Sequence, residues 1–489
     1  MVSAGKKSGW FMGCGSVLVV LGAILVVFWP SLFFAQLKKM MVLTPTSTSF
    51  GLWREIPLPM YLECFFFNIT NVDDILARKD VKLTVEQVGP YVFRETHIKA
   101  NITFNDNGTV VFYNQRWWHF EPELSNGSLS DDITSINPII ATAAYMMRSR
   151  SAALNLIVDL FMRGFHEHLF ITANTSSWLF DGIEDPLLDA AKNFPDLPIL
   201  IPFDKFGWFY TRNGSMEYDG HFEMNTGAND FSQLGNVIKW RESNRTMYRD
   251  ECGEVKGSTG ELWAPELGQP EAVIFVPDLC TYMSLSINDT VYVEGIEGVK
   301  YAADDSFFDN GYNYPAKACY CSSVRDSDCL PPGAMNVSSC RYGAPAFVSH
   351  PHFYNMDPYY PSKIDGLEPD PSYNFELVLE MFTGMPLSVR AQLQINMLVR
   401  RVPGISLVNV LPDADTLVPM FWFRQEVRTS PAYAAMARLA LNVRYKMPYA
   451  FYGLTLIGIG LLLTGVIILI KNLMKSPETS PIVEQTDDQ

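Results

Sequence analysis

The chain has 489 residues, nearly half of them apolar, which is room for one large domain or for two or three ordinary ones with a sizeable core. Its 37 basic and 53 acidic residues leave a net charge of −16, which argues against nucleic acid as a partner, because phosphate binding needs clustered Lys and Arg. Mean hydropathy is slightly positive, high for a soluble chain, so apolar residues must be concentrated somewhere.

They are concentrated at the two ends. Residues 10–34, WFMGCGSVLVVLGAILVVFWPSLFF, and residues 447–470, MPYAFYGLTLIGIGLLLTGVIILI, carry no charge. Each is long enough to cross a hydrocarbon core of about 30 Å as a helix. The first outruns the apolar core of a signal peptide, about 7–15 residues, and no small-residue cleavage site follows it, so it reads as an uncleaved span. Gly9 and Gly13 form a single small-xxx-small pair, too little by itself to specify helix packing. The GIG…G of the second span is no dinucleotide fingerprint, since no strand–turn–helix surrounds it. Flanking positive charge does not orient the spans: Lys6 and Lys7 balance Lys38 and Lys39, and Arg444 and Lys446 balance Lys471 and Lys475. Glycosylation acceptors do. N-x-S/T occurs at Asn68, Asn101, Asn107, Asn126, Asn174, Asn213, Asn244, Asn288 and Asn336, all between the spans. The composition would give roughly three by chance. Residues 35–446 are therefore expected to face the lumen or the outside, with tails 1–9 and 471–489 in the cytosol. Cys14, at the cytosolic edge of the first span, is a candidate for palmitoylation, with a buried inert thiol as the equal alternative.

Between the spans, residues 82–120 read as strands, rich in Val, Thr, Ile, Phe and Tyr, with NDNG (105–108) as a hairpin turn. Residues 137–170 read as helix, broken at Gly164. Residues 176–194 read as two short helices, and 199–425 as short strands separated by Pro/Gly turns. With no repeat or long linker, this predicts one large α+β domain with a mostly antiparallel sheet.

Seven of the eight cysteines fall in the extracytosolic region, an oxidising space where disulfides are the default. ACYCSSVRDSDC (318–329) has C-x-C followed by a distant Cys, not the repeated C-x₂-C of a zinc knuckle. The six cysteines between 252 and 340 allow fifteen pairings that the sequence does not separate. Cys64 makes the count odd and is either a free buried thiol or an intermolecular link. HEH (166–168) puts two His about 200° apart on a helix, so they cannot chelate from one face, and it reads as a polar helix tip. His350 and His352 read as ordinary strand residues. No nucleophile elbow or P-loop occurs, so no catalytic residue, metal or cofactor is expected, and the chain does not read as an enzyme.

Five strings stand out: VGPYVFRE (88–95), NQRWWHF (114–120), FDKFGWF (203–209), APAFVSHPHF (344–353) and KIDGLEPD (363–370). With the two-span plan and the order of the six clustered cysteines, they resemble the class B scavenger receptors, the superfamily of fatty-acid translocase and lysosomal integral membrane protein type 2, over nearly the whole chain. The resemblance implies disulfides Cys252–Cys319, Cys280–Cys340 and Cys321–Cys329. It implies an antiparallel β-barrel-like ectodomain with an apical helical bundle, and a hydrophobic tunnel that carries lipids, sterols, fatty acids or lipoprotein cargo to the membrane. Ile157, Leu160 and Phe161 would then line the tunnel entrance or simply pack. Arg163 is the cation nearest to where the fatty-acid-binding member has a lysine, and it is the candidate carboxylate clamp. His166 and His168 could titrate across endosomal pH, which fits the competing function implied by the lysosomal member, a receptor that releases a protein cargo in acid. The tail string ETSPIV (478–483) loosely resembles an acidic dileucine sorting signal, so plasma membrane and endosome or lysosome both stay open as locations, as do monomer and homo-oligomer.

Overall fold

The computed structural model describes residues 2–79, 81–193, 203–265, 269–321 and 329–474. The tail string ETSPIV lies outside them. The chain separates into two compact units, Met1–Met40 with Pro431–Gln489, and Met41–Ser430. The helices used below are α1 (Val2–Met41), α2 (Pro138–Met147), α3 (Ala152–Gly164), α4 (Pro186–Asn193) and α5 (Pro431–Met474).

The first unit is built on α1 and α5, both long and apolar enough to cross a membrane. They pack through glycines other than the pair visible in the sequence. A Cβ on Gly458 would lie 2.8 Å from the Val19 nitrogen and 2.9 Å from the Gly15 carbonyl, and Gly465 faces Met12 and Ser8 in the same way. Gly9 and Gly13 have nothing within 4 Å. In lipid, helices associate by such close backbone approach and by polar contacts across the seam. Ser8 Oγ donates to the Gly465 carbonyl at 2.8 Å. Pro448 has no N–H, so the Arg444 carbonyl one turn earlier lacks its intrahelical donor. Trp29 Nε1 supplies one at 3.2 Å.

The second unit is a large, nearly closed antiparallel sheet. Its main path uses β1 (Met60–Ile69), β2 (Leu83–Phe104), β3 (Thr109–Phe120), β4 (His221–Asn225), β5 (Val237–Trp240), β6 (Glu271–Val276), β7 (Thr281–Val293), β8 (Ile296–Ala302), β9 (Glu376–Leu379), β10 (Pro386–Arg400) and β11 (Asp415–Arg428). Their order is β6-β7-β8-β9-β10-β11-β1-β2-β3-β4-β5. The first and last strands are neighbours, with Tyr61 opposite Glu426, so the chain enters and leaves the sheet at one end. The NDNG hairpin joins β2 to β3, with Gly108 at φ +79°, a conformation only glycine adopts cheaply.

Several local expectations need correction. The single helix over 137–170 is two. Asn137 Oδ1 caps α2 by accepting from Ile139 N and Ile140 N, while Ser151 Oγ accepts from Leu154 N and starts α3 afresh. The polar Arg148–Ser149–Arg150 run between them cannot continue the buried face of α2. Of the two short helices over 176–194, one is a single wide turn, Ser177–Asp181, and the other is α4. His350 and His352 follow the strand Ala346–Ser349 on a tight turn, where His352 has φ +51°. His166 and His168 lie beyond α3 and not on its tip.

Cys252 is bonded to Cys319, Cys280 to Cys340 and Cys321 to Cys329, with Cα separations of 5.8, 5.7 and 5.6 Å, inside the bridging range. Cys64 is fully buried on β1, and burial pushes its thiol up, so it is an inert thiol and not an intermolecular link. Cys14 is half-buried on α1. Among the sequons, Asn101, Asn107, Asn126, Asn213, Asn244 and Asn288 are exposed, and Asn68 and Asn174 half-buried. Asn336 is buried on the short strand Met335–Asn336, where a glycan would displace the strand.

Because the α1–α5 seam has no room for a side chain, Gly458→Leu should lower the thermal stability of the purified full-length protein by about 1–3 kcal/mol, the usual penalty for overpacking. Gly9→Leu should leave it unchanged in the same melt.

Candidate functional site

In a strand, every second side chain faces the same side. Along β10 the inward set includes Leu393, Ile395 and Met397, along β11 Phe421, Phe423 and Gln425, and along β3 Arg116 and Trp118. Register places Leu393 opposite Phe423, Ile395 opposite Phe421, and Trp118 opposite Glu95 of β2. With Ile139 and Thr142 of α2 and the segment Phe203–Arg212, these residues line a cavity of about 220 Å³, set in about 1550 Å³ of unfilled space that is partly open to solvent. An apolar cavity of ~150 Å³ already takes up small hydrocarbons, so this one exceeds what a packed core leaves by chance.

One wall is polar. Arg212 is buried and donates from Nη2 to Asp219 (2.9 Å) and to Asp278 (3.0 Å), with Nη1 also 2.9 Å from Asp278. Its guanidinium lies over the rings of Trp118, Phe209 and Tyr218. Desolvation works to raise the Asp278 carboxyl, but Arg212 and Arg341 outweigh it and hold it at about 2. Glu95 Oε2 accepts from Trp118 Nε1 (3.1 Å) and Gln425 Nε2 (2.7 Å), and burial raises its carboxyl above the usual range in spite of Arg116 and Arg212. Arg116 sits with Nε 3.4 Å from Asp219 and 3.8 Å from Glu95. Farther along the same two strands, Lys99 Nζ donates to Glu261 (2.6 Å) and Asn114 (2.8 Å) beside His97, and burial lowers both Lys99 and His97. That group lies beyond the cavity lining.

The residues singled out from the sequence sit elsewhere. Ile157, Leu160 and Phe161 are 64%, 58% and 40% exposed on α3, and none lines the cavity. The helix is inverted relative to an ordinary amphipathic one. Its inner face carries Met162 together with Asn155, which donates to the Pro403 carbonyl at 2.8 Å, and Asp159, which accepts from Ser406 N at 2.7 Å and Ser406 Oγ at 2.8 Å. Polar anchors hold α3 down and its apolar side faces out, a patch of the kind that marks an interaction surface. Arg163 is exposed, 3.8 Å from Asp159, and does not reach the cavity. The cations among the described lining residues are Arg116, Lys205, Arg212 and Arg341. The signal for Arg116 was present in NQRWWHF, where strand alternation puts Arg116 on the side of buried Trp118. Nothing local marked Arg212 or Asp278.

His166 and His168 are exposed and flank Glu167, which is buried. Asn137 Nδ2 donates to both Glu167 (3.3 Å) and Asp185 (3.4 Å), just ahead of α4. Burial, then the Asp185 charge, pushes the Glu167 carboxyl up to about 7. Burial holds His350 and His352 down at about 4, so both stay neutral through the endosomal range.

Removing one partner of a buried ion pair strands the other, so Arg212→Met should destabilise the sheet unit by about 3–5 kcal/mol in a denaturant titration. A carboxyl raised to about 7 on folding opposes the native state above that pH, and the penalty is relieved as pH falls toward its unfolded value of about 4.3. Melting temperatures of wild type and Glu167→Gln should therefore converge as pH drops from about 7.5 to about 5, with the variant the more stable at the upper end.

The CD36 family profile matches residues 13–469. Scavenger receptor class B member 1 of Cricetulus griseus is 37% identical over 84% of this chain and 79% of its own length. Protein peste of Drosophila melanogaster is 34% identical over 86% and 75%, and lysosome membrane protein 2 of Homo sapiens 28% identical over 83% and 83%. The match spans both terminal helices, the sheet and every cysteine of the disulfide set, and this chain belongs to the CD36 family.

Proposed function

We propose that this chain is a class B scavenger receptor, and not an enzyme, that gathers lipid or lipoprotein ligand on the apolar face of α3 and passes hydrophobic molecules through the cavity of its ectodomain toward the membrane. The observation that carries this reading is the cavity, walled by aromatic and aliphatic side chains inside a nearly closed sheet, with its few polar groups gathered on one wall. The outward apolar face of α3 supplies a surface for first capture. The placement of all nine sequons between the spans supports residues 35–446 facing the lumen or outside, with both tails in the cytosol at the plasma membrane or in endolysosomes.

A second reading, a receptor that carries a lumenal protein and releases it in acid, has one specific observation in its favour: Glu167, between His166 and His168, titrates near neutrality. Under that reading retention of a lumenal protein differs between pH 7 and pH 5, and Glu167→Gln removes the difference.

Ile395 lines the cavity, and a larger side chain there would plug it. In cells carrying equal surface amounts of protein, Ile395→Trp should reduce uptake of a fluorescent fatty acid or sterol at least about tenfold, as expected for a blocked apolar pocket. Unchanged uptake would defeat the transport reading.

A further inference from the structure

Away from the cavity, β2 and β3 bury a second group of polar side chains. Lys99 stands directly opposite Asn114 in the antiparallel ladder, where facing residues have Cβ atoms about 4.5–5.5 Å apart. Lys99 Nζ donates to Asn114 Oδ1 at 2.8 Å and to Glu261 Oε1 at 2.6 Å. The Lys99 side chain is 1% exposed and that of Glu261 12%. The ring centroids of Phe112 and Trp53 lie 5.2 and 6.0 Å from Nζ and wall it off from water. His97 Nε2 is 3.1 Å from the same Asn114 oxygen. An amide oxygen only accepts, so this nitrogen carries the hydrogen.

These groups are the parts of an amide exchange. A lysine attacks only as the neutral amine, and desolvation is one way to make it so. Burial lowers Lys99 in spite of the Glu261 charge. Passing a proton across the 2.6 Å to Glu261 removes both buried charges and with them the cost of desolvating them. Thr259 Oγ1 donates to the second oxygen of Glu261 and holds the carboxyl in place. His97 donates to Asn114 Oδ1, where charge develops when the carbonyl carbon is attacked. Asn114 Nδ2 donates no hydrogen bond among the described residues, so nothing retains it as a leaving group. Amides resist amines in free solution, but reactants held in contact gain effective molarities of about 10⁵–10⁸ M.

We infer that Lys99 and Asn114 become joined by an isopeptide bond, with Glu261 as the proton shuttle and His97 as the donor to the amide oxygen. The Nζ–Cγ bond forms and the Cγ–Nδ2 bond breaks. One hydrogen of the Lys99 ammonium passes to Glu261 and stays there. A second passes through Glu261 to Nδ2, which leaves as ammonia. No oxidant, reductant or further reactant is needed, and the product buries no charge. Glu261 belongs to neither strand of the pair. Its segment bridges the two ends of the strand order, with Val237 N of β5 donating to the Gly257 carbonyl and Phe275 N of β6 to the Ser258 carbonyl, both at 2.8 Å. The shuttle reaches Lys99 only when that bridge is in place, so the bond forms after the sheet has closed. All three disulfides lie within 252–340, and the isopeptide would staple the β2–β3 hairpin, which they leave unlinked. It is independent of what the cavity carries.

Trypsin cuts after Lys and Arg and spares an acylated lysine, so a peptide map of full-length protein, deglycosylated and reduced, reads the bond directly. The wild type should release residues 95–116 as one species, uncut at Lys99 and lighter than its sequence mass by one ammonia. Glu261→Gln, which keeps the shape but takes no proton, should give separate 95–99 and 100–116 peptides with no mass missing, and Asn114→Ala should also be cut at Lys99. Separate peptides of full mass from the wild type overturn the inference, leaving Lys99 and Glu261 a plain ion pair, and this result needs no variant to fold. A linked peptide that persists in Glu261→Gln overturns the assigned chemistry.

Discussion

The interior of the large sheet unit is organised around one buried cation. Arg212 ties the segment that follows Phe203 to the start of β7 through Asp278, and to its own loop through Asp219. Burying a guanidinium is expensive unless every strong acceptor around it is well placed, and two carboxylates and three aromatic faces meet that requirement here. The ionic clamp coincides with a covalent one. Asp278 lies two residues before Cys280, and Arg341, which donates to the Asp278 carbonyl, follows Cys340, the partner of Cys280. Arg341 therefore joins the same two loops as the Cys280–Cys340 disulfide, and Arg212 ties a third segment to them. The cavity depends on them, because a wall made of loops keeps its shape only when it is pinned.

Around that clamp the usual rule of apolar inside and polar outside is reversed twice. Inside, β2 and β3 present Glu95, His97, Lys99, Asn114 and Arg116, five polar groups in alternate positions, where a closed sheet would ordinarily pack aliphatics. Outside, α3 presents Leu156, Ile157 and Leu160 to solvent while Asn155 and Asp159 are buried. Each reversal costs stability, through desolvation in one case and exposed apolar area in the other. Local reversals of this kind are expected where function overrides folding economy. Both reversals fit the proposed reading, in which a polar wall would orient a ligand in the cavity and the apolar face of α3 would be covered by it.

The helical unit follows a different logic. Leucine against lipid gains nothing by association, so the α1–α5 pair relies on contacts that only small residues permit. Gly15, Gly458 and Gly465 let backbones touch, and the gap that Pro448 leaves in the hydrogen-bond ladder of α5 is filled by Trp29 from α1. The same proline that weakens one helix thus supplies a specific acceptor to its neighbour.

Much of this was legible in the sequence. Uncharged runs of membrane-spanning length, strand alternation, the NDNG turn and the family strings are local patterns, and local patterns survive without tertiary context. The break within 137–170 is hidden by Ala- and Leu-rich composition, because the effect of the Ser151 cap depends on α2 being buried and the outer face of α3 not. Arg163 stands near a helix end, and it lies exposed beside Asp159 and outside the cavity lining. Arg116 is one of the cavity cations because alternation on β3 turns it inward. That inward face became a cavity wall only when β10, β11 and α2 closed over it. The sequence by itself determined the two membrane-length apolar runs, many of the strands and the clustering of six cysteines, since each depends on residues close in the chain or on counts. Only the tertiary structure decided which charges are buried together: Arg116, Arg212 and Asp278 are far apart in sequence, and burial, which sets both their strength and their cost, is a property of the folded whole.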